Sequence, residues 1–335
     1  MYVLGIETSC DETAASVVKD GKIILSNIIA SSLSFHRKYG GIIPEIAFRR
    51  QLEAIIPIAQ SAIKEAQIKL KDIGLVSVTN GPGLSGSLLV GVAFAKSLSL
   101  SLGIPLLGVS HLYSHIYASF LKTQKYPTFT VNDGLLPFVA LIVSGGHTSL
   151  FYVPEFRHIE LIGATQDDAC GEAFDKVAKI LGLGYPGGPI IERLAKSGNA
   201  RKIRFHCSGT KKPLDFSFSG IKTAVLYAAN GKRLTVNDKQ DIAASFQETV
   251  IGALIQKSFL ACRMKKVNRL VIGGGVAANN KLRDRFCQQA QAEKIQYYFP
   301  AKELCFDNAA MVAGLGYKLF KNRYQSDLSL NIDLN

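Results

Sequence analysis

A strand–turn–strand pattern occurs twice in the sequence, and this repetition constrains the fold more than any other feature. The first copy covers residues 2–18 and the second covers residues 138–153. Each joins two apolar runs through a short polar turn, at residues 8–13 and at residues 144–148. Such patterns predict β-hairpins whose tips present backbone N–H and hydroxyl groups to an anion, although a plain hairpin explains either copy alone. The two copies together predict a duplicated α/β domain, with the ligand lying between the copies.

The residues between the hairpins alternate between helical and strand patterns. A helical pattern begins near Pro44, which suits a first turn, and ends near residue 67; Pro57 is expected to kink or split it. A short strand is expected within residues 71–80, and the glycine-rich residues 81–86 open another helix. Those glycines could bind an anion at the helix N-terminus or could serve only close packing.

Glycine-rich loops are also frequent in the second half of the chain. Residues 171–176 begin a helix with an acidic first turn, and residues 182–188 form a loop dense in glycine. A strand at residues 270–272 leads into a run of glycines at 273–275 and then a helix. Glycines at such a junction let a nucleotide base lie against the backbone. The spacing is not the GxGxxG fingerprint, so ordinary turns are the alternative for each loop.

The length of the chain predicts two domains, because 335 residues with 47% apolar content exceed one compact core. A polar stretch at residues 122–133 is expected to link an N-terminal lobe, residues 1–130, to a C-terminal lobe, residues 134–306. The second lobe should carry a helical insertion at about residues 170–230. The last helix, residues 307–325, is expected to pack back on the first lobe.

Charge and cysteine usage bound the class of protein. The formal charge of +13 and the pI near 9.4 favour a polyanionic partner such as nucleic acid, with general solubility as the alternative. The six cysteines are scattered without a CxxC pair, which argues against a thiolate zinc site and for a reducing compartment. The longest apolar stretch, residues 87–109, is interrupted by Lys96, Gly103 and Pro105 and predicts helix, turn and strand. With acidic residues where a secretory signal would be basic, these features predict a cytoplasmic protein with no membrane partner.

Two histidines lie four residues apart at the start of a predicted helix. Ser110 is expected to cap this helix, which follows an apolar run typical of a strand. His111 and His115 share one helical face and can bind one cation, although a surface helix is the commoner setting for such a pair. Open metal sites usually add a carboxylate, and the best-placed candidate is Asp307, expected as the N-cap of the last helix, residues 308–320.

A basic segment, defined here as residues 193–214, contains no acidic residue. It has no sustained helical period, so the sequence predicts a mobile arm or a short hairpin that binds a polyanion, with a solvated basic loop as the alternative. Its basic residues are Arg193, Lys196, Arg201, Lys202, Arg204, Lys211 and Lys212, with His206 among them.

A series of motifs along essentially the whole chain resembles the TsaD family, the tRNA N6-adenosine threonylcarbamoyltransferases. The motifs are GIETSCDET at 5–13, YGGIIPE at 39–45, GPG at 81–83, HLYSH at 111–115, VSGGHT at 143–148, GEAFDK at 171–176, GYPGG at 184–188, FSFSGIKT at 216–223, GGGVAAN at 273–279 and DN at 307–308. The resemblance implies an actin/sugar-kinase-like (RNase H-like) fold of two related lobes with a ligand cleft between them.

The resemblance also implies the residues of the site. It makes His111, His115 and Asp307 the ligands of one divalent metal ion, Fe²⁺ first and Zn²⁺ as the alternative. It places threonylcarbamoyl-AMP against the second hairpin and neighbouring loops, at Val143, Ser144, Gly145, Gly146, His147, Asp175, Gly188 and Asn279.

The implied reaction transfers the threonylcarbamoyl group from its AMP mixed anhydride to N6 of the adenosine next to the anticodon, releasing AMP. The tRNAs concerned are those that read codons starting with A. A proton must leave the amine, and Asp11 or Glu12 on the first hairpin tip is the expected base, with turn capping as the alternative role.

Partners and departures follow from the same resemblance. It implies a smaller TsaB-like paralogue and a TsaE-like ATPase as partners. The helix near residues 45–67 supports a protein interface, because its apolar residues exceed one buried stripe. These residues are Ile46, Leu52, Ile55, Ile56, Ile58 and Ile63. Two stretches depart from the family: residues 48–51 read FRRQ where Ser-Arg and then a His two residues on are usual, and residues 201–213 lack the expected proline-rich form.

Three other functions are alternatives for this sequence. An ATP-dependent phosphotransferase or ATPase of the same fold needs no His pair. A metalloprotease of the zincin type carries a Glu directly after the first His, where this sequence has Leu112. A non-catalytic scaffold is expected to lack both the His pair and the ligand loops, and both are present.

Overall fold

The chain forms two compact units, described by a computed structural model over residues 1–122, 135–230 and 234–334. The first unit combines the described residues up to Lys122 with those from Pro300 onward. The second unit is Leu135–Phe299. The linker predicted over residues 122–133 lies, apart from Lys122, outside the described residues.

A five-stranded sheet forms the centre of the first unit, in the order β3-β2-β1-β4-β5. Its strands are β1 (Tyr2–Glu7), β2 (Glu12–Lys19), β3 (Ile23–Ser31), β4 (Ile73–Gly81) and β5 (Leu106–Ser110). β1, β2 and β3 are antiparallel neighbours, whereas β4 runs parallel to β1 and β5 to β4. The first predicted hairpin is present, and its second strand begins at Glu12 because Glu12 and Thr13 already pair with β3.

The helices of the first half cover this sheet. They are α1 (Leu33–His36), α2 (Pro44–Glu65), α3 (Ser85–Leu102) and α4 (His111–Tyr117). α2 packs on β2, β3 and α3. It continues through Pro57, so the predicted split does not occur: a proline removes one backbone hydrogen bond, while Ile55 and Ala59 on either side remain buried.

Helix α3 is the only described helix that is long and apolar enough to cross a membrane. It packs on β4 and α2 and buries Leu88, Val92 and Ala95, as a core helix does. The glycines before it serve close packing, since a side chain at Gly83 would lie 2.5 Å from the Ser9 carbonyl oxygen.

The sheet of the second unit repeats the topology of the first. Its strands are β6 (Phe138–Val143), β7 (Thr148–Glu155), β8 (His158–Ala164), β9 (Arg269–Gly273) and β10 (Gln296–Tyr298). The order β8-β7-β6-β9-β10 matches β3-β2-β1-β4-β5 strand for strand, with the same antiparallel and parallel pairings. The duplication inferred from the two hairpins is therefore present.

Five helices accompany the second sheet. They are α5 (Cys170–Ile180), α6 (Gly187–Ala195), α7 (Ser219–Ala229), α8 (Val236–Lys265) and α9 (Asn280–Glu293). α5, α6 and α7 lie where the helical insertion was predicted. α8 packs against α6 and the sheet and buries Phe246 and Phe259.

The basic segment is neither a free arm nor a hairpin, so that prediction is wrong. It has no strand, and its anchors Phe205 and Leu214 are buried. The Ile203 N–H donates to the Ser245 hydroxyl on α8 at 3.3 Å, and Gly198 lies directly against the backbone of α8. These contacts fix the backbone and leave the basic side chains at the surface.

The last helix, α10 (Ala309–Lys321), belongs to the first unit and packs on β1, β2 and α4. The approach to β1 is close, because a side chain at Gly5 would lie 2.2 Å from the Ala309 carbonyl oxygen. Residues 300–306, which the sequence placed in the second lobe, also belong to the first unit. Leu304 and Cys305 are buried there, beside the start of α10.

Candidate functional site

Helix α4 presents the two histidines as expected. β5 ends at Ser110, whose side chain accepts a hydrogen bond from the Tyr113 N–H at 3.5 Å and so caps α4. One helical turn separates His111 from His115, and their ring centroids lie 4.7 Å apart, edge to face. His115 is fully buried and His111 nearly so.

Asp307 meets both histidines, but it is not the cap of α10. That prediction is wrong: the buried Asn308 is the cap and accepts from the Met311 N–H at 3.1 Å. Asp307, one residue earlier, does not cap α10 and lies beside the histidines instead. Its Oδ1 lies 3.1 Å from Nε2 of His115 and 3.7 Å from Nε2 of His111.

These three side chains fit one divalent metal ion. Their candidate donor atoms all lie within 4.8 Å of one another. Two imidazole nitrogens and one carboxylate oxygen form the donor set of open zinc sites and of non-haem iron sites with a facial triad. Asp307 keeps a fifth of its side-chain surface exposed (20%), which leaves an approach to the group.

Glu7, the last residue of β1, orients His111 from the other side. Its Oε2 lies 3.2 Å from Nδ1 of His111 and accepts from the Thr79 hydroxyl at 2.6 Å. The Ser9 hydroxyl lies 3.0 Å from the same imidazole nitrogen. A carboxylate on Nδ1 fixes the tautomer and leaves Nε2 for a metal. This role of Glu7 was not predicted, although an acidic residue at the end of a buried apolar strand indicates a specific partner for its charge.

The charges of this group are strongly coupled. Burial opposes a charge on His111, but the carboxylates of Asp307 and Glu7 outweigh it and raise the pKa of His111 to about 9. Burial likewise opposes the charge on Glu7, and His111 outweighs it and lowers the pKa of Glu7. Without a metal, His111 and Glu7 hold each other in their charged forms.

The first hairpin tip carries the two candidate bases, Asp11 and Glu12. Asp11 is 8% exposed, and its backbone carbonyl accepts from the N–H and the hydroxyl of Ser32. Burial, followed by the neighbouring carboxylates of Asp307 and Asp11, raises the pKa of Glu12 to about 10. The Ser31 hydroxyl donates to Glu12 at 3.2 Å.

The second hairpin tip, after Val143 at the end of β6, is a tight turn with an open outer side. The Ser144 N–H donates to the His147 carbonyl at 2.8 Å, and the His147 N–H donates to the Ser144 hydroxyl at 3.1 Å. Gly145 and Gly146 are exposed, and a side chain on either would meet open space. A ligand can therefore approach this backbone closely.

Asp175 on α5 braces the start of α6. Its Oδ1 accepts from the Gly187 N–H at 2.6 Å. Burial raises its pKa, against the lowering effect of the N–H groups of Gly187 and Gly188. A side chain at Gly188 would meet open space, so this helix start is accessible.

Asn279 is more committed to the fold than its sequence position suggested. It caps α9 by accepting from the Leu282 N–H at 3.0 Å, and its amide donates to Gln247 Oε1 at 2.9 Å. A second N–H of the same amide is left for a ligand. Next to it, Glu192 accepts from Asn280 and lines a pocket of about 330 Å³ that Gln247 also lines. Neither Glu192 nor Gln247 was predicted to lie beside Asn279 or Asn280, because neither stands in a sequence motif.

Gly274 explains part of the glycine run after β9. Its φ of +90° and a clash at 2.4 Å with the Val143 carbonyl oxygen both exclude a side chain. Gly83 in the first unit packs in the same way, because a side chain there would lie 2.5 Å from the Ser9 carbonyl oxygen. The candidate metal ligands His111, His115 and Asp307 thus lie in the first unit, and the predicted substrate-binding residues lie in the second.

Solved structures share this architecture at low sequence identity. The chain resembles HypF of T. kodakarensis with a TM-score of 0.63 and 15% identity, covering 96% of this chain and 48% of that one. It resembles component A of the (R)-2-hydroxyglutaryl-CoA dehydratase of Acidaminococcus fermentans with a TM-score of 0.55 and 16% identity, covering 95% and 98%. These likenesses confirm the predicted α/β class with two related actin-like units.

Sequence relatives narrow the comparison to one family. The family model described as TsaD: tRNA N6-adenosine threonylcarbamoyltransferase matches residues 23–314. Proteins described by that enzyme name include one from Thermodesulfovibrio yellowstonii, 51% identical over 336 residues, covering 99% of this chain and 98% of its own. Another, from Syntrophus aciditrophicus, is 47% identical over 333 residues, covering 99% and 96%. The chain therefore belongs to the TsaD family of tRNA N6-adenosine threonylcarbamoyltransferases.

Proposed function

We propose that this protein transfers the threonylcarbamoyl group from threonylcarbamoyl-AMP to N6 of the adenosine next to the anticodon, releasing AMP. The tRNAs are those reading codons that start with A. The observation that carries the proposal is membership of the TsaD family, with His111, His115 and Asp307 brought together in the fold. The basic character of the chain, with a formal charge of +13, suits a tRNA substrate.

His111, His115 and Asp307 would hold one divalent ion. Two histidines and one carboxylate with open positions favour Fe²⁺, and Zn²⁺ is the alternative. When bound, such an ion supplies positive charge that polarises an acyl oxygen or holds a carboxylate. Glu7 would keep His111 in the tautomer that presents Nε2, which is a positioning role for this chain's own residue.

The adenylate would bind in the second unit, at Val143, Ser144, Gly145, Gly146, His147, Asp175, Gly188 and Asn279. The support is the open backbone at Gly145, Gly146 and Gly188. Backbone N–H groups at the hairpin tip would steady the departing phosphate, and positioning of the two substrates supplies much of the rate. Asp11 would accept the proton that leaves the amine; Glu12, whose pKa is raised to about 10 by burial and neighbouring carboxylates, would serve as the base only where a bound cation offsets those carboxylates.

Two protein partners are proposed, a TsaB-like paralogue and a TsaE-like ATPase. Leu52 and Ile56, four residues apart on α2, are 53% and 55% exposed, which suits docking of another chain. None of the six cysteines, which all lie within the described residues, forms a disulfide, and this suits a cytoplasmic location.

A nucleoside assay tests the function. Unmodified tRNA is incubated with the protein, threonine, bicarbonate, ATP and an adenylate-making enzyme, and its nucleosides are analysed by mass spectrometry. Threonylcarbamoyladenosine should form with the native chain and be lost with His115→Ala, which should also lose the metal, about one per chain. ATP turnover without modified nucleoside would favour the phosphotransferase instead. A His115→Ala variant that keeps both metal and activity would remove the metal assignment.

A further inference from the structure

The backbone of the first hairpin tip is held by one buried side chain of α2. Nε2 of Gln51 lies 2.9 Å from the Cys10 carbonyl oxygen, 3.1 Å from that of Glu12 and 3.4 Å from that of Thr8. The acceptors are alternate residues of the same turn, so one amide spans the whole tip.

Other groups hold the remaining tip carbonyls, but none spans the turn. The Leu84 N–H donates to the Ser9 carbonyl at 2.8 Å. Ser32 donates to the Asp11 carbonyl through both its N–H, at 3.0 Å, and its hydroxyl, at 2.8 Å. Gln51 is thus the side chain that ties the two ends of the tip to α2.

The fit of Gln51 is costly for stability. It is 1% exposed, and its Oε1 is buried with no hydrogen-bond partner among the described residues. The amide cannot be reversed, because only its NH₂ end can donate to carbonyls. An unsatisfied buried oxygen destabilises the folded state, because it gives up its hydrogen bond to water and gains none in return. Such a cost is typical of positions that serve a site rather than the core.

The first hairpin tip, which Gln51 holds, carries groups that lie close to the candidate metal ligands. The Ser9 hydroxyl lies 3.0 Å from Nδ1 of His111. Asp11 and Glu12 follow on the same turn, and their carboxylates interact electrostatically with each other. A shift of this backbone would move the histidine's support and both candidate bases together.

We propose that Gln51 is a positioning residue for the transfer reaction: it sets the hairpin tip that carries Ser9, Asp11 and Glu12. The inference rests on the proposed function and adds to it a residue with no role in binding metal or substrate. A neutral imidazole has one N–H, so it can replace only part of the amide's three contacts.

Three variants test the proposal. Gln51→Met keeps the shape but donates no hydrogen bond, and Gln51→His keeps one donor. Gln60→Met is the matched control, because Gln60 is exposed on the same helix. Measured quantities are kcat, KM for tRNA, metal content, thermal stability, and hydrogen exchange of the peptide containing residues 8–12.

Gln51→Met should lower kcat by about 10- to 100-fold, since small misplacements of reacting groups cost that much, with KM for tRNA and metal content nearly unchanged. Exchange at residues 8–12 should accelerate, Gln51→His should be intermediate in both measurements, and Gln60→Met should match the native chain. A folded Gln51→Met protein with native kcat overturns the proposal, as does an equal loss in Gln60→Met.

Two further outcomes are separable. If Gln51→Met does not fold, Gln51→His decides: native kcat despite faster exchange at the tip overturns the proposal. If the native protein transfers no threonylcarbamoyl group, the proposed function fails. Unchanged exchange at residues 8–12 in Gln51→Met would by itself show that Gln51 does not hold the tip.

Discussion

At the candidate metal site formed by His111, His115 and Asp307, the neighbouring residues have separate roles. Asn308 caps α10, with its amide also donating to the Phe306 carbonyl at 2.8 Å, and this frees Asp307 to face the histidines. Glu7 is fully buried and lies on the Nδ1 side of His111, away from the Nε2 atom that Asp307 approaches. Removing any of these side chains therefore tests a different part of the same arrangement.

Glu7→Gln should weaken metal binding by about 10- to 100-fold, because the amide still accepts a hydrogen bond from His111 but no longer supplies charge. Competition with a chelator measures the affinity. Glu45→Gln is the control, since Glu45 forms an exposed ion pair with Arg49 on the surface of α2. Equal affinities for Glu7→Gln and the native chain would show that Glu7 does not tune His111.

Asn308→Ala should destabilise the protein by about 0.5–2 kcal/mol through the lost cap and should lower metal affinity as well, because Asp307 adjoins the cap. Thr235→Ala removes the exposed cap of α8 and should cost stability without changing metal affinity. Denaturant unfolding and metal titration measure the two effects. Normal metal affinity in a destabilised Asn308→Ala protein would separate the cap from the site.

The metal-free protein should lose stability as pH rises from 6.5 to 9. The pKa of His111 is raised from 6.5 to about 9, so its contribution is complete below pH 6.5 and is lost as the pH passes through 9. Glu12, with a pKa raised to about 10, acts in the same direction, since its protonated form is favoured in the fold. Melting temperatures of the chelator-treated protein measure this. A rising melting temperature over that range would contradict the charge assignment.

Sequence analysis found the histidines and Asp307 but assigned the cap to the wrong one of two adjacent residues. Aspartate and asparagine are comparable caps, so the DN pair at 307–308 does not reveal which of them turns inward. Glu7 and Gln51 were not assigned roles at all. Their roles depend on atoms far away in sequence, at His111 and at the hairpin tip, and no local pattern encodes such contacts.

At the scale of elements, helix α2 has one buried face and one exposed face that also carries apolar residues. Its inner face buries Gln51, Ile55 and Ala59, and its outer face exposes Leu52 and Ile56. The sequence pattern alone showed that α2 has more apolar residues than one buried helical face can hold. It could not predict that the helix continues through Pro57, since that depends on packing against β2 and α3.

Leu52→Asp together with Ile56→Asp should abolish assembly with a TsaB-like paralogue, because the charges must be desolvated in the interface. Light scattering at micromolar concentration measures the heteromer. Leu100→Asp, at a 67% exposed site on α3, is the control and should assemble normally. Failure of the native chain to form a heteromer would count against the interface itself.

The basic segment shows a second limit of local patterns. A run without period and without acidic residues predicted a free arm, yet buried Phe205 and Leu214 fix its course. Two apolar residues in a polar run carry little weight in a periodicity argument. The course of the basic segment depends on residues far away in the chain: Leu214 lies against Gly163 on β8, and the Ile203 N–H donates to Ser245 on α8.

At the scale of the whole molecule, excess positive charge should govern tRNA binding. We expect Arg201→Ala, Lys202→Ala and Arg204→Ala together to weaken tRNA binding and to reduce the slope of log affinity against log salt by roughly two units. Their side chains are exposed on an anchored backbone. Metal content and adenylate binding should not change.

The control for this variant removes the same charge elsewhere, through alanine at Lys64, Lys69 and Lys71, all exposed in the first unit. Binding measured over a series of salt concentrations gives both slopes. An unchanged slope in the first variant would exclude the basic segment from the tRNA surface. Arg263 and Lys265 are weaker candidates, because ion pairs with Glu293 and Glu160 already engage them.

The discontinuity of the first unit sets the order in which the candidate metal site can assemble during synthesis. His111 and His115 leave the ribosome early, but Asp307 follows only after the whole of Leu135–Phe299. At translation rates of 5–20 residues/s, roughly 10 to 40 s pass between His115 and Asp307. During synthesis the nascent chain therefore contains both histidines before Asp307 has been made. Strand β1 likewise stays uncovered at Gly5 until α10 has been made. The second unit, although it comes later in the chain, is the first that can fold to completion.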